Sequence, residues 1–161
     1  MKIEIESRKN IKVRAQKPFP AHTALISITD FDDGFAVLKN KPEYRLQLKF
    51  DDVPGEIYNE IFNSYSTMTD TARTIKELHV LSDEQAEEIA AFVKSIYCKA
   101  NTLICQCEFG QSRSAGLAAA IRQYLYEDGI EVFADDRYSP NKLVYKKTLT
   151  ALGKSGIKRT D

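Results

Sequence analysis

The residues best suited to chemistry lie at positions 107–114, which read Cys-Glu-Phe-Gly-Gln-Ser-Arg-Ser. A thiolate is a strong nucleophile, and a guanidinium binds two oxygens of one phosphate group at once. Cys107 and Arg113, six positions apart, therefore predict a site where sulfur attacks the phosphorus of a phosphate ester. Ser114 is suitably placed to donate a hydrogen bond that helps the thiolate leave in a second step.

The elements on either side of these residues predict an anion site. Residues 102–105 form a short apolar run typical of a buried strand, and the alanine-rich residues 115–121 favour a helix. A strand-loop-helix junction directs unpaired backbone N–H groups toward one point, and the helix dipole adds partial positive charge there. Gly110 lets the backbone turn with a positive φ. We call residues 107–113 the phosphate loop.

The spacing of Cys107, Arg113 and Ser114 resembles the Cys-x5-Arg-Ser/Thr signature of the cysteine-dependent protein tyrosine phosphatase superfamily, most closely its small dual-specificity-like group. This resemblance implies a phosphocysteine intermediate that water hydrolyses, with no metal or other cofactor. It also implies that phosphotyrosine peptides are substrates and that phosphate, sulfate and vanadate are ligands. The backbone amides that would bind the phosphate belong to Glu108, Phe109, Gly110, Gln111, Ser112 and Arg113.

Two further positions bear on this resemblance. The family usually has His immediately before the nucleophile, where this chain has Gln106. Because that His helps to hold the thiolate, the resemblance predicts weaker thiolate stabilisation and slower turnover here. Pro140-Asn141 resembles the segment that opens the last helix in dual-specificity-type enzymes, where Asn141 would either brace the phosphate loop or cap the helix.

The family also needs a general acid on a separate loop to protonate the leaving oxygen. Asp51 and Asp52 follow the alternating residues 45–50, and relatives with two acids at this point use the second. We therefore expect Asp52 to be the acid, with Asp51 as second choice; both also fit a turn that caps the strand. Asp70 is a rival, because it lies nearer to Cys107 in the sequence.

Strand and helix signals alternate along the chain and predict an α/β fold. We expect a single domain over residues 1–161, with a central, mainly parallel sheet flanked by helices; the resemblance implies a phosphotyrosine protein phosphatase II-like fold. The expected strands are residues 2–6 at an edge, 23–29, 45–50 and 102–105, and the expected helices are 82–98, 112–128 and 141–152. Gly129 fits a C-cap, and residues 56–81 read as a partly helical insertion.

The overall composition narrows the classes of partner. Lys and Arg together number 23, as do Asp and Glu, so the chain lacks the basic excess typical of nucleic-acid binders. No run of residues is apolar enough to span a bilayer, and charges interrupt the first residues too often for a signal peptide. We expect a cytoplasmic protein with no nucleic-acid or membrane partner. The three cysteines and two histidines lack metal-ligand spacing, so no metal site is expected.

Two alternatives to an active phosphatase of this superfamily remain open. A pseudophosphatase, which binds phosphate without turnover, would share the phosphate loop, and Gln106 favours it. A rhodanese-like phosphatase would share the pattern Cys-Glu-Phe-x-x-x-Arg, which Cys107, Glu108 and Phe109 begin. The order of strands in the sheet separates the rhodanese-like fold from the first interpretation.

Overall fold

The structure is a computed structural model that describes residues 1–64 and 78–155. Its four described strands form one sheet in the order β1-β4-β2-β3, and every neighbouring pair is parallel. The strands are β1 (Lys2–Ser7), β2 (Thr23–Thr29), β3 (Tyr44–Lys49) and β4 (Thr102–Cys107). This confirms the predicted α/β class with a parallel sheet, and β1 lies at an edge, as its alternating apolar and charged residues predicted.

Six helices lie within the described residues and connect or cover these strands. They are α1 (Arg8–Arg14), α2 (Gly55–Ser64), α3 (Asp83–Ile96), α4 (Arg113–Tyr126), α5 (Ile130–Ala134) and α6 (Lys142–Lys154). Helix α3 begins with a capping box in which Ser82 and Gln85 each accept a hydrogen bond from the other's backbone N–H. None of these helices is long and apolar enough to cross a membrane.

The hydrophobic core lies between the sheet and helices α3, α4 and α6. All seven residues of β2 are buried, as in a parallel strand covered on both faces. Helix α4 is also buried along most of its length, which its small alanine side chains permit. At Gly116 a Cβ would lie 2.5 Å from the carbonyl oxygen of Asn141, so only glycine lets the start of α6 approach α4 this closely.

The predicted C-cap of the helix after the phosphate loop differs from the structure. Gly129 is not the C-cap of α4; Glu127 takes that position with φ +62°, and Gly129 instead precedes α5. A Cβ at Gly129 would clash with the carbonyl oxygen of Ala119, so the residue is small because the chain packs tightly there. Helix α2 covers the first part of the predicted insertion at residues 56–81, and residues 65–77 lie outside the described residues. The assignment of residues 1–161 to a single domain stays a prediction.

Candidate active site

The candidate nucleophile is the last residue of the central strand β4. Cys107 is 2% exposed, and its Sγ lies 3.0 Å from the hydroxyl oxygen of Ser114 in the first turn of α4. Cys105, two residues earlier on the same strand, is fully buried, and burial together with the nearby Cys107 raises the pKa of the Cys105 thiol. Cys105 therefore stays protonated, and Cys107 is the buried thiol that borders the phosphate loop.

Three backbone carbonyls of the phosphate loop point outward. They accept hydrogen bonds from amides outside the loop, in the pairs Arg8 to Glu108 (3.0 Å), Ser139 to Gln111 (2.9 Å) and Asn141 to Ser112 (3.1 Å). A trans peptide points its N–H opposite to its C=O, so the amides of Phe109, Ser112 and Arg113 face the inside of the loop. Inward N–H groups at a helix N-terminus bind anions.

The turn of the loop depends on Gly110, whose φ is +70°. A Cβ there would lie 2.7 Å from the backbone nitrogen of Ser7 and 2.8 Å from the carbonyl carbon of Glu6. The loop therefore rests directly on the backbone between β1 and α1. The neighbouring Phe109 is 77% exposed, so its side chain stands at the rim of the loop rather than in the core.

The guanidinium of Arg113 has hydrogen-bonding partners at Nη1 but none at Nε within the described residues. Its guanidinium is 3% exposed, and Nη1 donates to the carbonyl oxygen of Phe50 at 2.7 Å and lies 2.5 Å from Oδ1 of Asp30. Its Nε is buried and has no hydrogen-bond acceptor within the described residues. A buried donor without an acceptor is rare, and this N–H is available to donate to an oxyanion.

Asp30 was missed by the sequence analysis, although one signal could have found it. It follows the last residue of β2, and β2 is the neighbour of β4 in the sheet. The carboxyl ends of adjacent parallel strands meet at one edge, where ligands of α/β folds bind.

The two candidate acids at the end of β3 have different surroundings. Oδ1 of Asp52 accepts hydrogen bonds from the Ser112 hydroxyl and the Asn141 side-chain amide, both at 2.8 Å. Its Oδ2 lies 4.0 Å from Nε of Arg113. Asp51 faces the other way, because its Oδ1 accepts from the backbone N–H of Phe31 at 2.9 Å. Only Asp52 of this pair contacts the phosphate loop.

Asn141 performs both of the roles that the sequence left open. Its Oδ1 accepts hydrogen bonds from the backbone N–H groups of Leu143 and Val144, each at 3.0 Å, and so caps α6. Its Nδ2 donates to Asp52, and its backbone N–H donates to Ser112 in the phosphate loop. Asn141, which caps the last helix, therefore also connects Asp52 to the phosphate loop.

Arg8, at the start of α1, is a second residue that the sequence analysis missed. Its Nη1 donates to Oε2 of Glu108 at 3.3 Å and its Nη2 to the carbonyl oxygen of Gly34 at 2.7 Å. Arg8 thus ties the phosphate loop to the turn after Asp30. The residue follows β1, the other neighbour of β4, so its position could have been inferred only once the strand order was known.

The structure thus brings together most of the predicted site residues at one edge of the sheet. They are Cys107, Arg113, Ser114, Asp52, Asn141 and the phosphate-loop residues 108–112. Asp70 lies outside the described residues. Across the described part of the chain, no three His, Cys, Asp or Glu side chains are grouped to hold a metal ion.

Comparison with known proteins supports the fold. No protein-family model matches the sequence, and no curated protein sequence matches it. A crystal structure of PTPMT1 in complex with PI(5)P has a TM-score of 0.53 and 12% identity, covering 96% of this chain and 92% of that chain. A second PTPMT1 structure has a TM-score of 0.51 and 13% identity, covering 96% and 91%. The chain therefore has the fold of PTPMT1, a dual-specificity-like member of the protein tyrosine phosphatase superfamily, as the resemblance at Cys107, Arg113 and Ser114 implied.

Proposed function

We propose that this chain is a cysteine-dependent phosphatase that hydrolyses phosphomonoesters through a phosphocysteine intermediate. One observation carries the proposal. The buried thiol of Cys107 adjoins a loop whose amides face inward, beside an Arg113 whose buried Nε has no acceptor within the described residues. These groups match the three needs of the reaction, which are a nucleophile, donors for the phosphate oxygens and a cation for the developing charge.

In the first step the thiolate of Cys107 forms a bond to phosphorus, and the bond between phosphorus and the ester oxygen breaks. The loop amides and Arg113 hold the three non-bridging oxygens, where negative charge is concentrated. Asp52 donates a proton to the departing oxygen, so that the product leaves as a neutral alcohol or phenol. Its Oδ2 is the oxygen suited to carry this proton, because Oδ1 already accepts two hydrogen bonds.

The second step returns the enzyme to its starting state. Asp52, now a carboxylate, takes a proton from water while the water oxygen attacks phosphorus. The bond between sulfur and phosphorus breaks, and inorganic phosphate is released. The Ser114 hydroxyl, 3.0 Å from Sγ, supports this step by donating a hydrogen bond to the departing thiolate.

Phosphotyrosine peptides are the substrate class that we propose. Residues 108–112 include one charged side chain, Glu108, and it is acidic and paired with Arg8. A second phosphate on the substrate would meet no cation within that segment. PTPMT1, by contrast, has been crystallised with PI(5)P, so a phosphoinositide is the natural competitor in a substrate test.

The fold shared with PTPMT1 favours the proposed phosphatase over a rhodanese-like phosphatase. A cytoplasmic location stays a prediction.

The decisive experiment compares Cys107→Ser with Cys98→Ser in the hydrolysis of an aryl phosphate. Cys98 is exposed, so its substitution controls for the general effect of exchanging sulfur for oxygen. We expect Cys107→Ser to lose hydrolysis and to keep its affinity for inorganic phosphate, and Cys98→Ser to match the wild type. A rapid quench followed by mass spectrometry should detect phosphate on the peptide that contains Cys107.

Other outcomes would change the assignment. Full activity of Cys107→Ser would refute the proposed nucleophile. A wild-type protein that binds phosphate and vanadate but hydrolyses no phosphotyrosine peptide, aryl phosphate or phosphoinositide would instead be a pseudophosphatase.

A further inference from the structure

The side chain of Gln106, just before the nucleophile, is buried, and its oxygen and its nitrogen each form a hydrogen bond. It is 2% exposed, and its Oε1 accepts a hydrogen bond from the Ser27 hydroxyl at 2.6 Å. Its Nε2 donates to the carbonyl oxygen of Cys107 at 2.8 Å. The Cys107 carbonyl can only accept, so it requires the N–H end of the amide, and the Ser27 hydroxyl holds the oxygen end in place.

The Cys107 carbonyl needs such a donor because of where the sheet ends. Pairing between β2 and β4 stops at Ser27 and Gln106, one residue short of the nucleophile. On the other side of β4 the next carbonyl, that of Glu108, accepts from Arg8. The Gln106 amide that donates to the Cys107 carbonyl is held by Ser27 of β2, so this carbonyl lies on the β2 side, beyond the last paired residue. The Gln106 amide supplies the donor that the sheet no longer provides.

The orientation of this carbonyl controls the first amide of the phosphate loop. The peptide between Cys107 and Glu108 is planar and trans, so its N–H points opposite to its C=O. Holding the carbonyl at Gln106 therefore fixes the direction of the Glu108 N–H at the start of the phosphate loop. The same rule gives the inward direction of the later loop amides, whose carbonyls are held from outside.

We propose that Gln106 is a positioning residue whose amide fixes the Cys107–Glu108 peptide and so holds the start of the phosphate loop in the shape that binds the oxyanion. An amide does not titrate, so this support is the same at every pH at which the protein is folded. Gln106 then supports the backbone of the phosphate loop, whereas the resemblance, judged by the missing His alone, predicts weaker thiolate stabilisation. The catalytic part of this inference rests on the proposed function, and the part that concerns oxyanion binding does not.

The test uses two substitutions at this position, with vanadate affinity and kcat/KM on an aryl phosphate as readouts. Gln106→Met keeps the length of the side chain and removes both hydrogen bonds. We expect it to lower both quantities about tenfold at acid and neutral pH alike. Gln106→Glu can donate to the Cys107 carbonyl only while protonated, and burial favours the protonated form. Its vanadate affinity relative to wild type should approach one at acid pH and fall as pH rises.

Two further variants complete the design. Ser27→Ala leaves the amide in place and removes the hydrogen bond that orients it, so we expect a smaller loss than for Gln106→Met. Gln47→Met is the matched control, since Gln47 is exposed on β3, and it should behave as wild type. Cooperative thermal unfolding of each variant checks that the fold is retained.

The outcomes separate this inference from the proposed function. A folded Gln106→Met with wild-type vanadate affinity and kcat/KM would overturn the inference. If Gln106→Met does not fold, wild-type vanadate affinity in Ser27→Ala, together with a pH-independent affinity ratio for Gln106→Glu, would overturn it equally. If the wild type hydrolyses no phosphate ester, the proposed function fails, and the vanadate affinities still decide the role of Gln106.

Discussion

Oδ1 of Asp30 lies 2.5 Å from Nη1 of Arg113, and this ion pair joins the end of β2 to the first residue of α4. The same nitrogen also donates to the carbonyl oxygen of Phe50 at the end of β3. A long side chain loses conformational freedom when it is held at two points, and that cost is met before any ligand binds. On the proposed function, the pair therefore holds Arg113 so that its Nε, which has no acceptor within the described residues, can donate to a phosphate oxygen.

Replacing Asp30 should leave the Arg113 guanidinium less firmly positioned. In Asp30→Asn an acceptor remains but the charge beside the buried guanidinium is lost. We expect kcat/KM on an aryl phosphate and the affinity for inorganic phosphate to fall about tenfold. The free energy of unfolding should fall by about 1–2 kcal/mol, less than for a fully buried pair because Asp30 is partly exposed. Initial rates, phosphate inhibition and urea unfolding measure these effects.

The matched control is Asp32→Asn, since Asp32 is exposed in the same acidic turn. It should change kcat/KM, the phosphate affinity and the free energy of unfolding little. If Asp30→Asn kept the wild-type kcat/KM and phosphate affinity, the ion pair would have no part in positioning Arg113.

The sequence suggested candidate residues for the centre of the site but not the residues that support them. Cys107, Arg113 and Ser114 lie within eight consecutive positions, so local spacing alone suggested their chemistry. Asp30 and Arg8 contact the phosphate loop from elements distant in sequence, and only the order of strands brings them there. A sequence pattern identifies strands, but it does not give their order in the sheet when no neighbouring motif constrains that order.

Secondary-structure elements with a clear local signal were also predicted better than short elements and tight contacts between elements. Strand β2 was predicted with its observed bounds, because residues 23–29 are uniformly β-prone and followed by a turn. Helices α1 and α5 were not predicted, since seven and five residues are too few to show a helical period. The small size of Gly129 reflects contact with α4, which the local rule for helix C-caps does not include.

Gly110 should tolerate no side chain. Gly110→Ala would place a Cβ against the backbone of Glu6 and Ser7, at a φ of +70° that L-residues rarely adopt. Backbone atoms cannot move aside as the end of a flexible side chain can, so we expect a loss of about 2–4 kcal/mol in unfolding free energy. Phosphate affinity should fall as well, because the loop must shift from β1. Urea unfolding and phosphate inhibition measure the two effects.

The control for Gly110→Ala is Gly153→Ala. Nothing lies within 4 Å of a Cβ at Gly153, which is inside α6. Alanine there should leave phosphate affinity unchanged and keep or slightly raise stability, since alanine favours helix more than glycine does. Equal stability of Gly110→Ala and the wild type would show that the loop does not rest on β1 as described.

The three cysteines should differ in their reaction with iodoacetamide. Burial raises the pKa of the Cys105 thiol, so at neutral and mildly alkaline pH it stays protonated and unreactive. Cys98 is exposed and should react with or without ligand. Cys107 should react in the free protein and be protected by phosphate or vanadate. Mass spectrometry of the labelled peptides at several pH values measures all three.

Denaturant provides the internal control for this labelling. Unfolding removes the burial that raises the pKa of Cys105, so its labelling rate should then approach that of Cys98. Labelling of Cys105 in the folded protein at neutral pH, or labelling of Cys107 that saturating vanadate leaves unchanged, would contradict the arrangement at the end of β4.

Asp52 and Asp51 are adjacent, yet only one should show the signature of a general acid. Asp52→Asn keeps an oxygen that can accept from Ser112 and Asn141, so the substitution removes the proton donor with little change in structure. We expect kcat/KM, which reports the first step, to fall about 10²–10⁴-fold for phosphotyrosine, whose leaving group needs a proton. For an aryl phosphate with a strongly acidic phenol the loss should be much smaller, because that phenol departs as an anion.

Asp51→Asn is the matched comparison, since Asp51 instead accepts from the backbone N–H of Phe31 and its backbone N–H donates to the His79 carbonyl. It should lower the unfolding free energy by about 1 kcal/mol and reduce the rates for both substrates by a similar, small factor. Steady-state kinetics with the two substrates therefore separate the roles through the ratio of their losses. If Asp51→Asn or Asp70→Asn shows the selective loss with phosphotyrosine, and Asp52→Asn does not, the proton comes from that residue and Asp52 serves only to brace the phosphate loop.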